Sequence, residues 1–134
     1  MSTKIFVNLP VKDLGRSMDF FTNLGYSFNK QFTDENAACL VISDDIYAML
    51  LVEPFFKTFT KKDISDATKT TEAIIALGLD SRTQVDDLAD KALAAGGSAS
   101  NDTNDQGFMY TRSFSDPDGH LWELFYMDPA SINQ

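Results

Sequence analysis

The chain has 134 residues and a mass of 14.9 kDa, with 43% hydrophobic and 23% charged residues. These values are typical of one soluble globular domain and exclude collagen-like, linker-like and disordered chains. The net charge of −9 disfavours binding to nucleic acid or to an anionic membrane. A single cysteine excludes an internal disulfide and a thiolate zinc site, which favours a reducing, cytoplasmic location. No apolar run approaches the roughly 20 residues that span a bilayer, so no membrane segment is expected.

The first half of the chain predicts one strand, one helix and three further strands. Residues 4–11 alternate apolar and polar side chains with the two-residue period of a strand. From Asp13, a suitable N-cap, apolar residues recur at helical spacing until Leu24, and Gly25 then ends the helix. Three short runs rich in aromatic and β-branched residues follow, and we expect strands over 26–32, 37–42 and 46–52.

The second half repeats this order. A strand is expected over 72–79 and a helix over Ser81 to Ala95, where Ser81 and Gln84 form a capping-box pattern. Further strands are expected over 98–101, 108–115 and 121–127. The last two are joined by a turn from Asp116 to Gly119, in which glycine supplies a positive φ.

The pattern therefore predicts two βαβββ modules within a single domain that covers residues 1–134. Module 1 covers about residues 1–54 and module 2 about residues 71–134, with a linker over 55–70. The linker combines three phenylalanines with lysines, a composition that favours a buried strap over a functional lid.

Two motifs at the ends of the chain carry a family resemblance. The opening VNLPVKDLGRSMDFFTNLGY and the closing SFSDPDGHLWELFYMDP, with the twofold element order, resemble the vicinal oxygen chelate superfamily. That superfamily includes glyoxalase I, extradiol dioxygenases and the bleomycin- and fosfomycin-resistance proteins. The resemblance implies an α+β fold in which the curved mixed sheets of two modules form a ligand cup. It also implies a small-molecule ligand and a homodimer, without fixing the reaction.

The same resemblance indicates where a metal would bind. The family's ligand positions fall on Phe6, Ile74 and Glu123, and the fourth falls on Leu51, or on Glu53 in a shifted register. Of these residue types only glutamate binds a divalent metal, and a Lewis-acid site needs about three protein ligands. No cofactor is therefore expected. An extradiol dioxygenase site is disfavoured because it needs two histidines and the chain has one.

Candidate ligand-binding residues follow from the same positions: Phe6, Asn8, Leu51, Ile74 and Glu123. Glu123 is the candidate catalytic residue, because a carboxylate within an apolar strand needs a partner or a task. It either faces a ligand or is a structural carboxylate held by the backbone or by Arg112.

Four further residues have side chains that bear on a possible site. His120 follows the turn, and we expect an exposed hairpin residue rather than one that orients a ligand. Cys39 lies in an apolar run and is expected in the core. Tyr110 and Arg112 share one face of their strand, but the pattern does not tell whether that face meets a ligand.

Two functions remain. The first is a small-molecule binding protein, or a lyase- or isomerase-like enzyme, that works without metal. The alternative is a metal-dependent lyase resembling glyoxalase I, with a site built from Glu53, Glu72, His120 and Glu123. We favour the first, because the alternative departs from the family motif at two strands.

Overall fold

The computed structural model describes residues 3–132, which divide into two compact units. Unit 1 extends to Asp66 and unit 2 begins at Ala67. Unit 1 contains β1 Ile5–Val11, α1 Leu14–Asn23, β2 Ser27–Asn29, β3 Ala37–Ser43, β4 Ile46–Val52 and α2 Glu53–Phe56. Unit 2 contains β5 Ile74–Gly78, α3 Arg82–Ala94, β6 Asn104–Asp105, β7 Met109–Ser115, β8 Leu121–Met127 and α4 Pro129–Ile132. Within the described residues, no helix is long and apolar enough to cross a membrane.

In unit 1 the four strands form one mixed sheet in the order β1-β4-β3-β2, and only the β1–β4 pair is parallel. α1 contacts β3 and β4, and the sheet residues Leu9, Leu40 and Leu50 are almost fully buried. The helix begins where expected, because the Asp13 carboxylate accepts a hydrogen bond of 3.1 Å from the Arg16 backbone N–H.

Unit 2 repeats this topology, with the strand order β5-β8-β7-β6 and a parallel β5–β8 pair. α3 packs on β7 and β8 over a core that includes Phe114, Trp122 and Leu124. Ser81 Oγ caps α3 by accepting from the Gln84 N–H at 3.1 Å. The Gln84 side chain returns to the Asp80 N–H rather than to that of Ser81.

The fold class is therefore confirmed as α+β with two βαβββ modules. The repeat extends to the strand register, since Leu9 of β1 pairs with Leu50 and Leu77 of β5 pairs with Leu124. All four leucines are buried, and each pair occupies the same place in its unit.

The structure differs from the expected elements at the polar edges of both sheets. The strand expected over 26–32 ends at Asn29, whose side chain caps a 3₁₀ turn over Lys30–Phe32 by accepting from Gln31 N–H. The strand expected over 98–101 is a single bridge between Ser98 and Ser115, and β6 forms the edge instead. At the first of these edges the Asn29 side chain competes with strand pairing for the backbone, because it accepts from a nearby N–H.

Candidate functional site

One face of the unit 2 sheet brings Glu123 to an open cleft. Glu123 of the central strand β8 lies opposite Ser113 of β7 and Ala76 of β5. Residues directly opposite one another in a sheet project from the same face. Their neighbours Trp122 and Leu124 project from the other face, where they are buried under α3. Alternation along β8 thus points Glu123 away from the core.

A cleft of about 210 Å³ lies on the Glu123 face. It combines apolar side chains with hydroxyl, amide and carboxylate groups, and among the described residues that line it none is basic. Its lining residues are Ile74, Ser100, Asn101, Asp102, Asn104, Met109, Thr111, Ser113, Leu121, Trp122 and Glu123. The two acidic residues give the cleft a negative potential, which favours cations over anions.

Two polar groups in the cleft are without partners. The partly buried Glu123 side chain forms no hydrogen bond or ion pair with any residue in 3–132. Ser113 Oγ is buried and likewise has no hydrogen-bond partner in the described part of the chain. The buried Ser113 hydroxyl has lost its water contacts without compensation, whereas the partly exposed Glu123 carboxylate can still meet water or a ligand.

The opposite face of β7 carries Tyr110 and Arg112. The Tyr110 hydroxyl donates to Asp86 of α3 at 2.6 Å, and Arg112 donates to Asp86 at 3.1 Å and to Asp90 at 2.9 Å. The Tyr110 hydrogen bond and the nearby Arg112 guanidinium lower the pKa of Asp86, while the same bond raises the pKa of Tyr110. These side chains anchor the sheet to its helix. The alternative in which Arg112 holds Glu123 is therefore wrong.

The turn after β7 is built around the carboxylate of Asp116. It accepts from the backbone N–H groups of Asp118 at 3.0 Å and His120 at 3.1 Å, and from Trp122 Nε1 at 3.0 Å. Burial raises the pKa of Asp116, although nearby His120 opposes this effect. His120 is only 6% exposed, so the expectation of an exposed hairpin residue is wrong. His120 is buried because its backbone N–H binds the buried Asp116 carboxylate.

A larger open cavity of about 540 Å³ lies beside this turn. Segment 67–71, residues near Ser98 and the Asp116–Gly119 turn line it. Among the described residues that line it, Asp116 provides the one carboxylate, whose two oxygens already accept three hydrogen bonds. The smaller cleft therefore offers a ligand the less satisfied polar groups.

In unit 1 the strand register shows which residue occupies the position of the family's fourth metal ligand. Asn8 of β1 corresponds to Ala76 of β5, and Asn8 lies opposite Met49 whereas Ala76 lies opposite Glu123. Met49 is thus the counterpart of Glu123. The expected position, Leu51, lies two residues further along the same face and is 3% exposed.

The other candidates of unit 1 lie around the same sheet. Phe6 is 50% exposed and stacks on Tyr47 of β4, with ring centroids 4.7 Å apart. Asn8 is exposed, and Glu53 is partly buried at the start of α2. Cys39 is 1% exposed, which confirms its place in the core, and burial raises the pKa of its thiol.

In unit 2 the cleft includes two of the candidates, Ile74 and Glu123. Ile74 is 56% exposed at the start of β5, and Glu72 is exposed just before that strand. The sequence reasoning missed Asp102, Thr111 and Ser113. The sequence carried a signal for Thr111 and Ser113. The aromatic residues at 110 and 114 indicate which face of β7 meets the core, so residues 111 and 113 must lie on the other face.

The donor set does not fit the family's metal. Within residues 3–132 no group of three or more histidine, cysteine, aspartate or glutamate side chains could hold a metal ion. At the positions equivalent to ligands, Phe6 and Ile74 offer no lone pair, and Met49 offers only a soft thioether sulfur. No step of a reaction is therefore assigned to a metal.

Comparison with known proteins supports the fold. The family model described as bleomycin resistance protein-like N-terminal matches residues 3–43. No curated protein matches the chain. A hypothetical protein of solved structure from S. aureus is 26% identical, covers 94% of this chain and 95% of its own, and has a TM-score of 0.78.

More distant structures share the same architecture. A glyoxalase/bleomycin resistance protein/dioxygenase family enzyme from Burkholderia phytofirmans PsJN is 14% identical, with coverage of 94% and 99% and a TM-score of 0.76. The fosfomycin resistance protein FosX from Mesorhizobium loti is also 14% identical, with coverage of 100% and 99% and a TM-score of 0.71. At this identity the likeness concerns the fold alone. The chain therefore shares the fold of these proteins, and the match over residues 3–43 agrees with the resemblance of the opening motif.

Proposed function

We propose that the chain binds a neutral or cationic small organic molecule with an apolar body in the Glu123 cleft, without a metal. It acts either as a binding protein or as a lyase- or isomerase-like enzyme. The observation that carries this proposal is the Glu123 carboxylate, which has no partner within residues 3–132 and lies beside Ile74 and Leu121 in a cleft without a basic residue among its described lining. A ligand with a cation or an N–H or O–H donor satisfies that carboxylate, whereas an anionic ligand adds repulsion.

The negative electrostatic potential of unit 2 also favours a neutral or cationic ligand. Residues 68–134 contain four basic and eleven acidic side chains. Arg82 and Arg112 are already paired with aspartates, at 2.8 Å to Asp105 and at 2.9 Å to Asp90. These two arginines therefore already have carboxylate partners within the protein. The acidic cleft is not a site for anionic thioesters such as acyl-CoA or glutathione conjugates.

A thermal-shift panel of neutral, cationic and anionic compounds tests this proposal. We expect cationic or neutral compounds to stabilise the wild type, and Glu123→Gln to reduce cation affinity about tenfold or more. The matched control is Asp87→Asn, which removes the same charge from an exposed position on α3 and should leave binding nearly unchanged. Each protein is measured at low and moderate salt. Best stabilisation by anionic thioesters, with stronger cation binding after Glu123→Gln, would show that Glu123 is structural.

The metal-dependent lyase with Glu53, Glu72, His120 and Glu123 is the alternative, and metal analysis separates the two. We expect the purified protein to retain well below one equivalent of zinc, nickel, manganese or iron after dialysis, because one glutamate at the family positions leaves a metal free to exchange. Elemental analysis provides the measurement. Stoichiometric metal that is lost in Glu123→Gln would reverse the ranking of the two functions.

A homodimer is also proposed, in line with the superfamily resemblance. Phe6 is 50% exposed, Ile74 56% and Phe59 63%, so apolar side chains are available for contact with a second chain. We expect light scattering at micromolar concentration to give twice the chain mass of 14.9 kDa. A mass equal to that of one chain would contradict this proposal. A cytoplasmic location also stays a prediction from cysteine usage.

A further inference from the structure

Resting on the proposed function, we infer that Ser113 is a specificity-determining residue that selects a primary ammonium group, which Glu123 and Ser113 bind together. Ser113 Oγ is the one buried side-chain oxygen or nitrogen without a hydrogen-bond partner among residues 3–132. It lies directly opposite Glu123 on the cleft face. The chain thus places an unused acceptor beside an unused charge.

The strand register brings the two side chains within reach of one nitrogen atom. Residues opposite each other on antiparallel strands have Cβ atoms about 4.5 to 5.5 Å apart. A nitrogen that lies between them reaches both oxygens at about 2.9 Å, the usual N–H···O length. A primary ammonium has three N–H donors, so it can donate to Glu123 and to Ser113 at once. A quaternary ammonium carries the same charge but has no N–H for Ser113.

The charge of the cleft favours an ammonium over a neutral amide or hydroxyl. Glu123 and Asp102 both line the cleft, without a basic residue among its described lining. Ile74, Met109 and Leu121 provide apolar surface beside them. The ligand class is therefore a primary amine on an apolar body, with the ammonium at the Ser113–Glu123 pair.

Calorimetric titration with two probes tests the role of Ser113: 2-phenylethylammonium and its N-trimethyl analogue. We expect the wild type to prefer the primary ion, and Ser113→Ala to weaken binding of that ion about tenfold with little effect on the quaternary ion. Ser115→Ala is the matched control, because it removes a hydroxyl from the same face of β7 outside the cleft. The ligand-free Ser113→Ala protein should be as stable as the wild type or more stable, since the lost hydroxyl is unsatisfied.

The outcomes separate this inference from the proposed function. If both probes bind but Ser113→Ala changes primary ammonium binding no more than Ser115→Ala does, the role of Ser113 is overturned and the cation site stands. Equal losses for the two probes overturn it as well. If neither probe binds the wild type, the cation site and the role of Ser113 both fall. Displacement of the primary ion by a divalent metal salt at equal concentration would assign the pair to a metal instead.

Discussion

Replacement of Asp116 by alanine is expected to lower the free energy of unfolding by about 3 to 4 kcal/mol. The substitution leaves three buried N–H donors, from Asp118, His120 and Trp122, without their acceptor. Each unsatisfied buried donor costs about 1 to 3 kcal/mol, and partial rehydration limits the sum. Urea unfolding of the wild type and the variant, followed by tryptophan fluorescence, measures the difference.

Two control variants separate the hydrogen bonds from general effects at this turn. Asp116→Asn keeps one carbonyl acceptor but places an amide group towards a donor, so an intermediate loss is expected. Trp122→Phe removes the indole donor while retaining a ring that can stack on Phe114. The loss on Asp116→Asn should be smaller in the Trp122→Phe background than in the wild type. A loss below about 1 kcal/mol for Asp116→Ala would contradict the description of this turn.

Gly119→Ala is expected to destabilise the protein by about 3 kcal/mol. Gly119 has a φ of +87°, which disfavours any residue with a Cβ. An added Cβ would also lie 2.7 Å from the carbonyl oxygen of Ala67 and 2.9 Å from the backbone nitrogen of Thr68. Backbone atoms at these distances must move apart, which adds to the conformational strain. The change in unfolding midpoint at constant m-value gives the measurement.

Gly107→Ala is the matched control, because the two glycines share a backbone conformation. Gly107 has a φ of +81°, and an added Cβ would have no atom within 4 Å apart from those of its two chain neighbours. This variant should therefore show the conformational strain alone, about 1 kcal/mol. The difference between the two variants reports the contact with the 67–68 backbone. Equal losses would mean that this contact relaxes without cost.

The fold could be predicted because local signals in the chain agree with one another. Asp13 and Ser81 cap their helices as expected, and Gly119 has the positive φ that the turn pattern requires. Each of these residues acts on atoms only a few positions away, so single-sequence reasoning captures it. The burial of Leu77 and Leu124 follows from the periodicity of their strands in the same way.

The site was harder to predict because it depends on register between distant strands. Met49, rather than Leu51, corresponds to Glu123, and only the strand pairing fixes this correspondence. When a strand shifts by two residues, its side chains stay on the same face of the sheet. The alternation of apolar and polar residues therefore cannot reveal such a shift. The exposure expected for His120 was wrong for a different, local reason: the Asp116 carboxylate binds the His120 backbone N–H within a turn that is itself buried. Ser113 was missed because alternation with Tyr110 and Phe114 gives the face of β7 on which it lies but does not show that this face lines a cleft.

Amide-resolved NMR titration of the full chain with 2-phenylethylammonium tests the central claim, that the Glu123 cleft is the binding site, most directly. We predict the largest chemical-shift changes at the backbone amides of Thr111, Ser113 and Glu123, all in or beside the cleft. The same titration of Glu123→Gln should show these changes only at about tenfold higher probe concentration or above. Changes confined to residues outside the cleft, or equal saturation of the wild type and Glu123→Gln, would contradict the claim.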